Sequence, residues 1–409
     1  MQYRVYDPEK DVAAAHRIWR ETGWLASEEQ ERGQELVLRS GRTLVADIDG
    51  EAECLTLTVP GAMRYLDAEV PFAAVMAVTT SRVARKQGIA GRLTAQAIAL
   101  DVADGAAVSA LGIFEQGFYN RLGFGNGSYE HWIRFDPATL QVSSPARSPK
   151  RLTSEHARQM FDALQRRIRG HGAINLHSPS YLESELLWDK SDFGLGYFDG
   201  EDGALSHFIW FNAKGEHGPY RVNYIAYGNR AQFLELMGVI KSFGDQVRML
   251  RMREPAHIQL QDLLHHPFRS RIVSQKSDFA TGNDATAYWQ VRICDLQTCL
   301  AATHLPNAPL RFNLVLSDPI THYLDADAPW QGVAGEYVIT LGPESAAQPG
   351  SEAGLPTLTA STGAFTRLWL GVRPASGLAI TDDLRGPDDL LAALDRTLRL
   401  PAPHLEWDI

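Results

Sequence analysis

The chain has 409 residues, 44% of them hydrophobic and 22% charged, with a formal net charge of −10. That length exceeds what one hydrophobic core holds and predicts two or three domains of soluble globular composition. The acidic balance argues against a nucleic-acid binder; it fits a cationic substrate such as a polyamine, and plain solubility explains it as well.

Along the chain, QYRVYD reads as a strand and DVAAAHRIWRETG as a helix. Strands over residues 42–47 and 52–59, joined at Asp49-Gly50, give a hairpin signal. A strand over 72–80 leads into a helix over 88–102, where Ile89, Leu93, Ala97 and Leu100 recur at helical spacing. A strand over 107–113, a short helix and the turn Leu122-Gly123-Phe124-Gly125 follow. Residues 142–149 are rich in Ser and Pro and read as a linker.

A second segment repeats this order. It has a helix over 154–168, strands over 194–199, 206–212 and 220–227, a helix over 230–243 and a strand over 247–252. A third opens with the helical CDLQTCLAATHL and continues with strands over 310–317, 337–341 and 356–360 and helices over 362–371 and 387–398. Residues 342–354 read as a surface loop. The expected partition is 1–145, 146–290 and 291–409.

The chemistry-bearing signal lies between the strand over 72–80 and the helix after it. Arg85-x-x-Gly88-x-Ala90 fits the pattern Q/R-x-x-G-x-G/A. A helix N-terminus offers unpaired backbone N–H groups and partial positive charge to a pyrophosphate. Gly88 and Ala90 keep bulk away from it, while Arg85 and Lys86 add formal charge. Alone, six residues recur by chance; the hairpin, strand and amphipathic helix around them give the pattern its weight. The dinucleotide turn G-x-G-x-x-G and the phosphate loop ending in Gly-Lys-Ser/Thr are both absent.

Downstream, residues 114–124 read FEQGFYNRLGF. The ending F-Y-x-R-x-G-F resembles that of GNAT acyltransferases, in which the preceding strand splays and the pantetheine arm lies in the gap. In that setting Tyr119 protonates the departing thiolate, a phenol of pKa about 10 serving a thiol of about 8.5. The bland alternative is a tyrosine that only packs helix against sheet.

Taken together, V-T-x-x-x-x-x-R-x-x-G from Val78 to Gly88, F-E-x-x-x-Y-x-R-x-G-F from Phe114 to Phe124 and the three-segment length resemble the enhanced intracellular survival (Eis) family of N-acetyltransferases. The resemblance spans nearly the whole chain, with its specific motifs in the first segment. It implies an α/β fold with two tandem GNAT domains and a C-terminal domain similar to sterol carrier proteins; no Arg-x-x-Gly-x-Ala follows the strand over 220–227, so the second GNAT domain reads as degenerate, its cofactor loop lost. It implies a homohexamer and acetyl-CoA as co-substrate. The cofactor contacts it implies are Val78, Thr79, Thr80, Arg85, Lys86, Gln87, Gly88, Ile89, Ala90, Gly91, Phe114 and Glu115. Tyr119 matches the general acid. The family's general base, its own C-terminal carboxylate, maps onto Ile409. The family often ends in an aromatic residue and this chain ends Glu406-Trp407-Asp408-Ile409, so Trp407 is the substitute packing residue. Chain ends fray unless tied down, so a working Ile409 requires a docked tail; partial desolvation then makes the carboxylate a better base.

The expected activity is acetylation of primary amines, of the aminoglycoside or polyamine type, by direct transfer in a ternary complex. The alternative is a non-catalytic acyl-CoA-binding, lipid-binding or scaffold protein. No metal, nucleic acid or membrane partner is expected. Cys54, Cys294 and Cys299 form no C-x-x-C pair and read as buried thiols of a reducing cytoplasm. MQYRVYDPEKD lacks an apolar leader core. His265-His266 lacks spaced partner ligands for a metal. The Asp382-Asp383 and Asp388-Asp389 pairs flank turns and helix starts and read as helix N-caps. Trp24, Met63 and Tyr65 read as core or as an acceptor pocket.

Overall fold

The computed structural model describes residues 1–144, 147–189, 191–306 and 308–409, with Glu29 by its backbone alone. The expected boundary at 145/146 lies outside these described residues. Two compact units form. One gathers Met1–Ser128, Gly170–Ser178 and Ala287–Ile409, the other Tyr129–Arg169 and Pro179–Thr286.

In the first unit, β1 (Gln2–Val5) is followed by α1 (Pro8–Thr22) and α2 (Glu28–Leu38). Asp7 caps α1, with Pro8 in its first turn, and left-handed Gly23 ends it. Then come β2 (Arg42–Ile48), β3 (Glu51–Tyr65), β4 (Ala68–Thr80), α3 (Ile89–Ala103), β5 (Val108–Gly112) and β6 (Gly125–Asn126). Asp49 and Gly50 both take positive φ, the signature of a tight hairpin turn between β2 and β3. β3 and β4 run longer than expected, because residues 60–71 continue the antiparallel ladder.

The second unit begins with β7 (Glu130–Phe135), β8 (Lys150–Leu152) and α4 (Ala157–Arg166). The chain returns to the first unit for β9 (Ile174–Leu176). The second unit resumes with α5 (Pro179–Glu185), β10 (Asp192–Tyr197), β11 (His207–Ala213), β12 (Tyr220–Ala226), α6 (Arg230–Ser242), β13 (Leu250–Arg253), α7 (Pro267–Ser274) and β14 (Gly282–Thr286). Its sheet order is β14-β7-β13-β12-β11-β10-β8.

β15 (Trp289–Ile293) re-enters the first unit's sheet, whose order is β1-β2-β3-β4-β5-β15-β6 with β9 on β3. Each sheet is antiparallel except for one pair, β4–β5 here and β12–β13 in the other unit. α3 and α6 are the crossovers that a parallel pair demands. The repeated order expected from the sequence is thus present in the sheets.

The remaining chain adds α8 (Leu296–Ala301), β16 (Leu310–Ser317), β17 (Gly335–Leu341), β18 (Ala346–Pro349), β19 (Thr357–Ser361), α9 (Thr362–Trp369), α10 (Ala375–Thr381), β20 (Leu384–Arg385) and α11 (Asp388–Thr397). Its sheet order is β18-β17-β16-β19-β20. Two expectations need correction here. The loop over 342–354 contains β18, paired with β17. Asp382 ends α10 rather than starting a helix, and pairs with Arg367 at 2.6 Å. Asp388 and Asp389 lie in the first turn of α11, but its N-cap is Pro387 and no side chain caps it. No helix among the described residues is long and apolar enough to cross a membrane.

Candidate active site

The site begins with a defect in the β3–β4 ladder. Leu55 pairs with Thr79 but Leu57 pairs with Met76, so β4 carries an extra residue. Ala77 absorbs it with a φ of 52°, a left-handed conformation that costs a non-glycine residue about 1 kcal/mol or more. β4 also loses its parallel partner here. Its pairing with β5 ends at Val75↔Leu111, while β4 itself runs on to Thr80. The backbone of Met76 to Thr80 thus borders an opening between β4 and β5, and Val78, Thr79 and Thr80 are on it.

Residues 81–88 turn from β4 into α3. Lys86 and Gly88 both have positive φ, and Gly88 stands as the N-cap with no side chain to cap the helix. The first intrahelical bond joins Arg92 N–H to Gly88 O at 3.3 Å. The amides from Gly88 through Ile89, Ala90 and Gly91 therefore lack intrahelical acceptors. A β-carbon at Gly88 would meet nothing within 4 Å, so the space there is open. Arg85, Lys86 and Gln87 are exposed around it. Neither Arg85 nor Lys86 has a carboxylate partner among the described residues. Uncapped amides plus two free cations can bind a polyphosphate.

Residues that sequence reasoning passed over anchor this loop. Glu21 on α1 accepts the Arg82 N–H at 2.7 Å, and Glu53 O accepts the Ser81 N–H at 2.8 Å. Arg17 holds both Glu53 carboxylate oxygens at 3.1 Å. No motif marked them, because their pairing joins segments far apart in the chain, Arg17 to Glu53 and Glu21 to Arg82 being 36 and 61 residues apart.

Beyond β5, residues 114–117 form an exposed turn, with Phe114 87% exposed and Glu115 beside it. Tyr119 then opens a 3-10 turn, Tyr119–Leu122, closed by left-handed Gly123. Its ring is buried with Val75, Leu111, Ala95 and Ile98, and edge-on to Phe118 and Phe124. Burial pushes its phenol up to about 12, helped by the nearby Cys54 thiol. It thus stays protonated throughout the neutral range and has a proton to give. The turn hangs on Arg292 of β15, which donates to Leu122 O and to Asp318 Oδ2, the latter at 2.7 Å. Both charged side chains are fully buried.

The chain's end arrives from the other side. Leu111 faces the α3 side with Tyr119, so by strand alternation the next residue, Gly112, faces away from α3. A β-carbon on Gly112 would overlap the Ile409 carboxyl oxygen. Tyr119 and the Ile409 carboxyl group therefore lie on opposite faces of the sheet at the tip of β5. The tail is tied down along its length. Ser128 Oγ donates to Pro403 O, His404 N–H to His171 O at 2.9 Å, and Ile174 N–H to Leu405 O at 3.0 Å. Trp407 is buried. Sequence reasoning missed β9 and Gly112 as the tail's seat.

The other candidates resolve simply. Met63 and Tyr65 are core residues, Tyr65 stacked on Trp369 at 4.4 Å; Trp24 is exposed, edge-on to Trp19. All three cysteines are buried free thiols. In the second unit, Asp199, His207 and Glu235 converge, and Arg147 pairs with both carboxylates. The start of α6 differs from that of α3. Asn229 caps the Gln232 N–H at 3.0 Å, and Gln232 in turn accepts the Gly228 N–H at 2.6 Å. A side chain of α6 thus occupies the amide of Gln232, the counterpart of the Gly91 amide that α3 leaves open, and a second holds the amide just before the cap.

Comparison with known proteins agrees with this geometry. Residues 3–127 match the family model of the acetyltransferase (GNAT) domain. A sequence search found no match among curated proteins. Among solved structures, a conserved protein of unknown function from Enterococcus faecalis V583, described as a probable N-acyltransferase, is 19% identical. The match covers 100% of this chain and 99% of that one, with a TM-score of 0.78. A GCN5-related N-acetyltransferase from Kribbella flavida is also 19% identical (100% and 98% covered, TM-score 0.75). Eis1 from Mycobacterium abscessus is 15% identical, with both chains fully covered and a TM-score of 0.75. At these identities the likeness establishes the fold: tandem GNAT folds with a further C-terminal domain. With the domain match, the chain is an acyltransferase carrying a GNAT acetyltransferase domain.

Proposed function

We propose that the chain is an Eis-like, acetyl-CoA-dependent N-acetyltransferase of primary amines, working by direct transfer in a ternary complex. The coenzyme A pyrophosphate sits on the amides of Gly88 to Gly91 with Arg85, Lys86 and Gln87 around it. The pantetheine arm follows Val78 to Thr80, with Phe114 and Glu115 beside it, and the thioester lies in the gap between β4 and β5. The acceptor comes from the face where the tail ends. Its nitrogen attacks the thioester carbonyl, forming the C–N bond and breaking the C–S bond. The amine proton passes to the Ile409 carboxylate, and Tyr119 gives its proton to the coenzyme A thiolate.

The observation that supports this most is the seat of the Ile409 carboxyl group against Gly112, across the sheet from Tyr119. Aminoglycosides are the leading acceptor class, with polyamines and protein lysines next. The reading carries with it a degenerate second GNAT domain, a sterol-carrier-like C-terminal domain and a homohexamer in the cytoplasm.

The test follows thiol release from acetyl-CoA with an amine panel, on the wild type, on Tyr119→Phe, and on a chain extended by one glycine to move the carboxylate. Expected is turnover lost in both variants. Full activity in both would sink the mechanism. Coenzyme A binding by calorimetry without turnover on any amine would make the chain a binding protein instead.

A further inference from the structure

Between the turn joining β3 to β4, the segment after α8 and the end of α11 lies an open cavity of about 480 Å³. That volume is in the range of small-molecule sites. Leu66, Leu305, Pro306 and Leu400 form its apolar wall, and Arg396 and Arg399 stand at it. Neither arginine has a carboxylate partner among the described residues, whereas Arg367 has Asp382 and Arg311 has Glu352; Arg385, likewise without one, does not line the cavity. In a chain of net charge −10, two unpaired guanidinium groups at one apolar cavity form a local reversal of sign. One cation in the last turn of α11 offsets the helix dipole. Arg399, beyond the end of that helix, adds charge that this role does not need.

A guanidinium fork matches a carboxylate or phosphate oxygen pair, and an apolar wall desolvates a hydrocarbon chain. We infer that this cavity binds an anion-headed amphiphile, its carboxylate or phosphate head on Arg396 and Arg399 and its alkyl chain against Leu66, Leu305 and Leu400. The site is independent of the acyl-transfer reading, since none of its residues belongs to the β4–β5 opening.

The experiment is calorimetric titration of the full chain with decanoate, decyl phosphate and uncharged decanol, each below its micelle threshold. Both anions are expected to bind at one site, at least tenfold tighter than decanol. Tighter binding of decyl phosphate identifies a phosphate-headed ligand; equal or tighter binding of decanoate identifies a carboxylate-headed one. The double variant Arg396→Glu/Arg399→Glu is expected to lose at least tenfold in affinity while keeping the wild-type melting temperature and thiol release. Failure of both anions to bind, equal binding of decanol, or unchanged binding in the double variant would overturn the inference.

Discussion

Arg292 is a full positive charge without an exposed atom; one carboxylate and one carbonyl take its two terminal nitrogens, and its Nε has no hydrogen-bond partner among the described residues. Such a pair is held by geometry, because removing one partner strands the other in a medium that cannot solvate it. Arg292→Met leaves the Asp318 carboxylate buried with the Ile320 and Val333 N–H groups but no countercharge, and denaturant unfolding should show a loss of about 3–5 kcal/mol. The double variant Arg292→Met/Asp318→Leu should lose clearly less than the sum of the singles, which a double-mutant cycle measures. Tyr119 invites a different measurement. With its phenol pushed up to about 12, it stays protonated in any ordinary buffer. For a general acid this means no alkaline limb in kcat below about pH 10, and Tyr119→Phe should lower kcat about 100-fold at every pH tested. A limb near pH 8 in the wild type that vanishes in Tyr119→Phe would contradict the burial argument. The tyrosine was legible in the sequence because its neighbours form a motif. Arg292 was not, because nothing local distinguishes a buried arginine on a strand from an exposed one.

At the level of elements, α3 and α6 are the same crossover with opposite chemistry at their starts. α6 caps itself through Asn229 and Gln232; α3 begins at a bare, left-handed Gly88. A glycine N-cap costs its own helix only about a few tenths of a kcal/mol relative to a side-chain cap and leaves its amides available to an anion. Asn229→Ala should therefore destabilise the fold by about 1 kcal/mol. The double change Arg85→Ala/Lys86→Ala should leave stability within about 0.5 kcal/mol. It should raise the KM for acetyl-CoA several-fold with kcat little changed, since it removes binding that ground and transition states share. A thermal melt and a steady-state titration with acetyl-CoA check the two halves. The loop and both helices were legible from glycine placement and apolar periodicity. The bulge at Ala77 was not, because an alanine carries no signal for positive φ.

Across the molecule, carboxylates shifted in opposite directions bear on acid stability, and Asp47 and Asp101 are one of each kind. Asp47 is held down to about 2 by hydrogen bonds from Lys10 and Arg4. Its contribution is present above its ordinary value of 3.8 and is lost as pH falls toward 2. Asp101 is pushed up to about 6 by burial, against the hydrogen bond from Thr58 and the charge of Arg42. The folded state therefore binds its proton more readily than the unfolded chain. Its contribution is greatest below 3.8 and declines as pH rises to about 6. From pH 4 to 6.5 the Asp101 term should lower the melting temperature, and Asp101→Asn should remove that part of the slope. Melting curves of both proteins across that window decide it; equal slopes would show that Asp101 does not titrate there.

Strand alternation, helical spacing, the Asp49-Gly50 turn and the open start of α3 are local properties, so the sequence alone determined the α/β class, the repeated order of elements and the acyltransferase reading. Alternation reports which face a residue takes but not which distant strand lies beside it. Only the tertiary structure decided that β15 fills the place next to β5 while β7 joins the other sheet. The same holds for the tail. The sequence presents Ile409 as a chain end that conformational entropy would leave frayed. Hydrogen bonds to Ser128, His171 and Ile174 and the burial of Trp407 overcome that entropy and bring its carboxyl group to Gly112, nearly three hundred residues away. No local pattern encodes a contact of that separation.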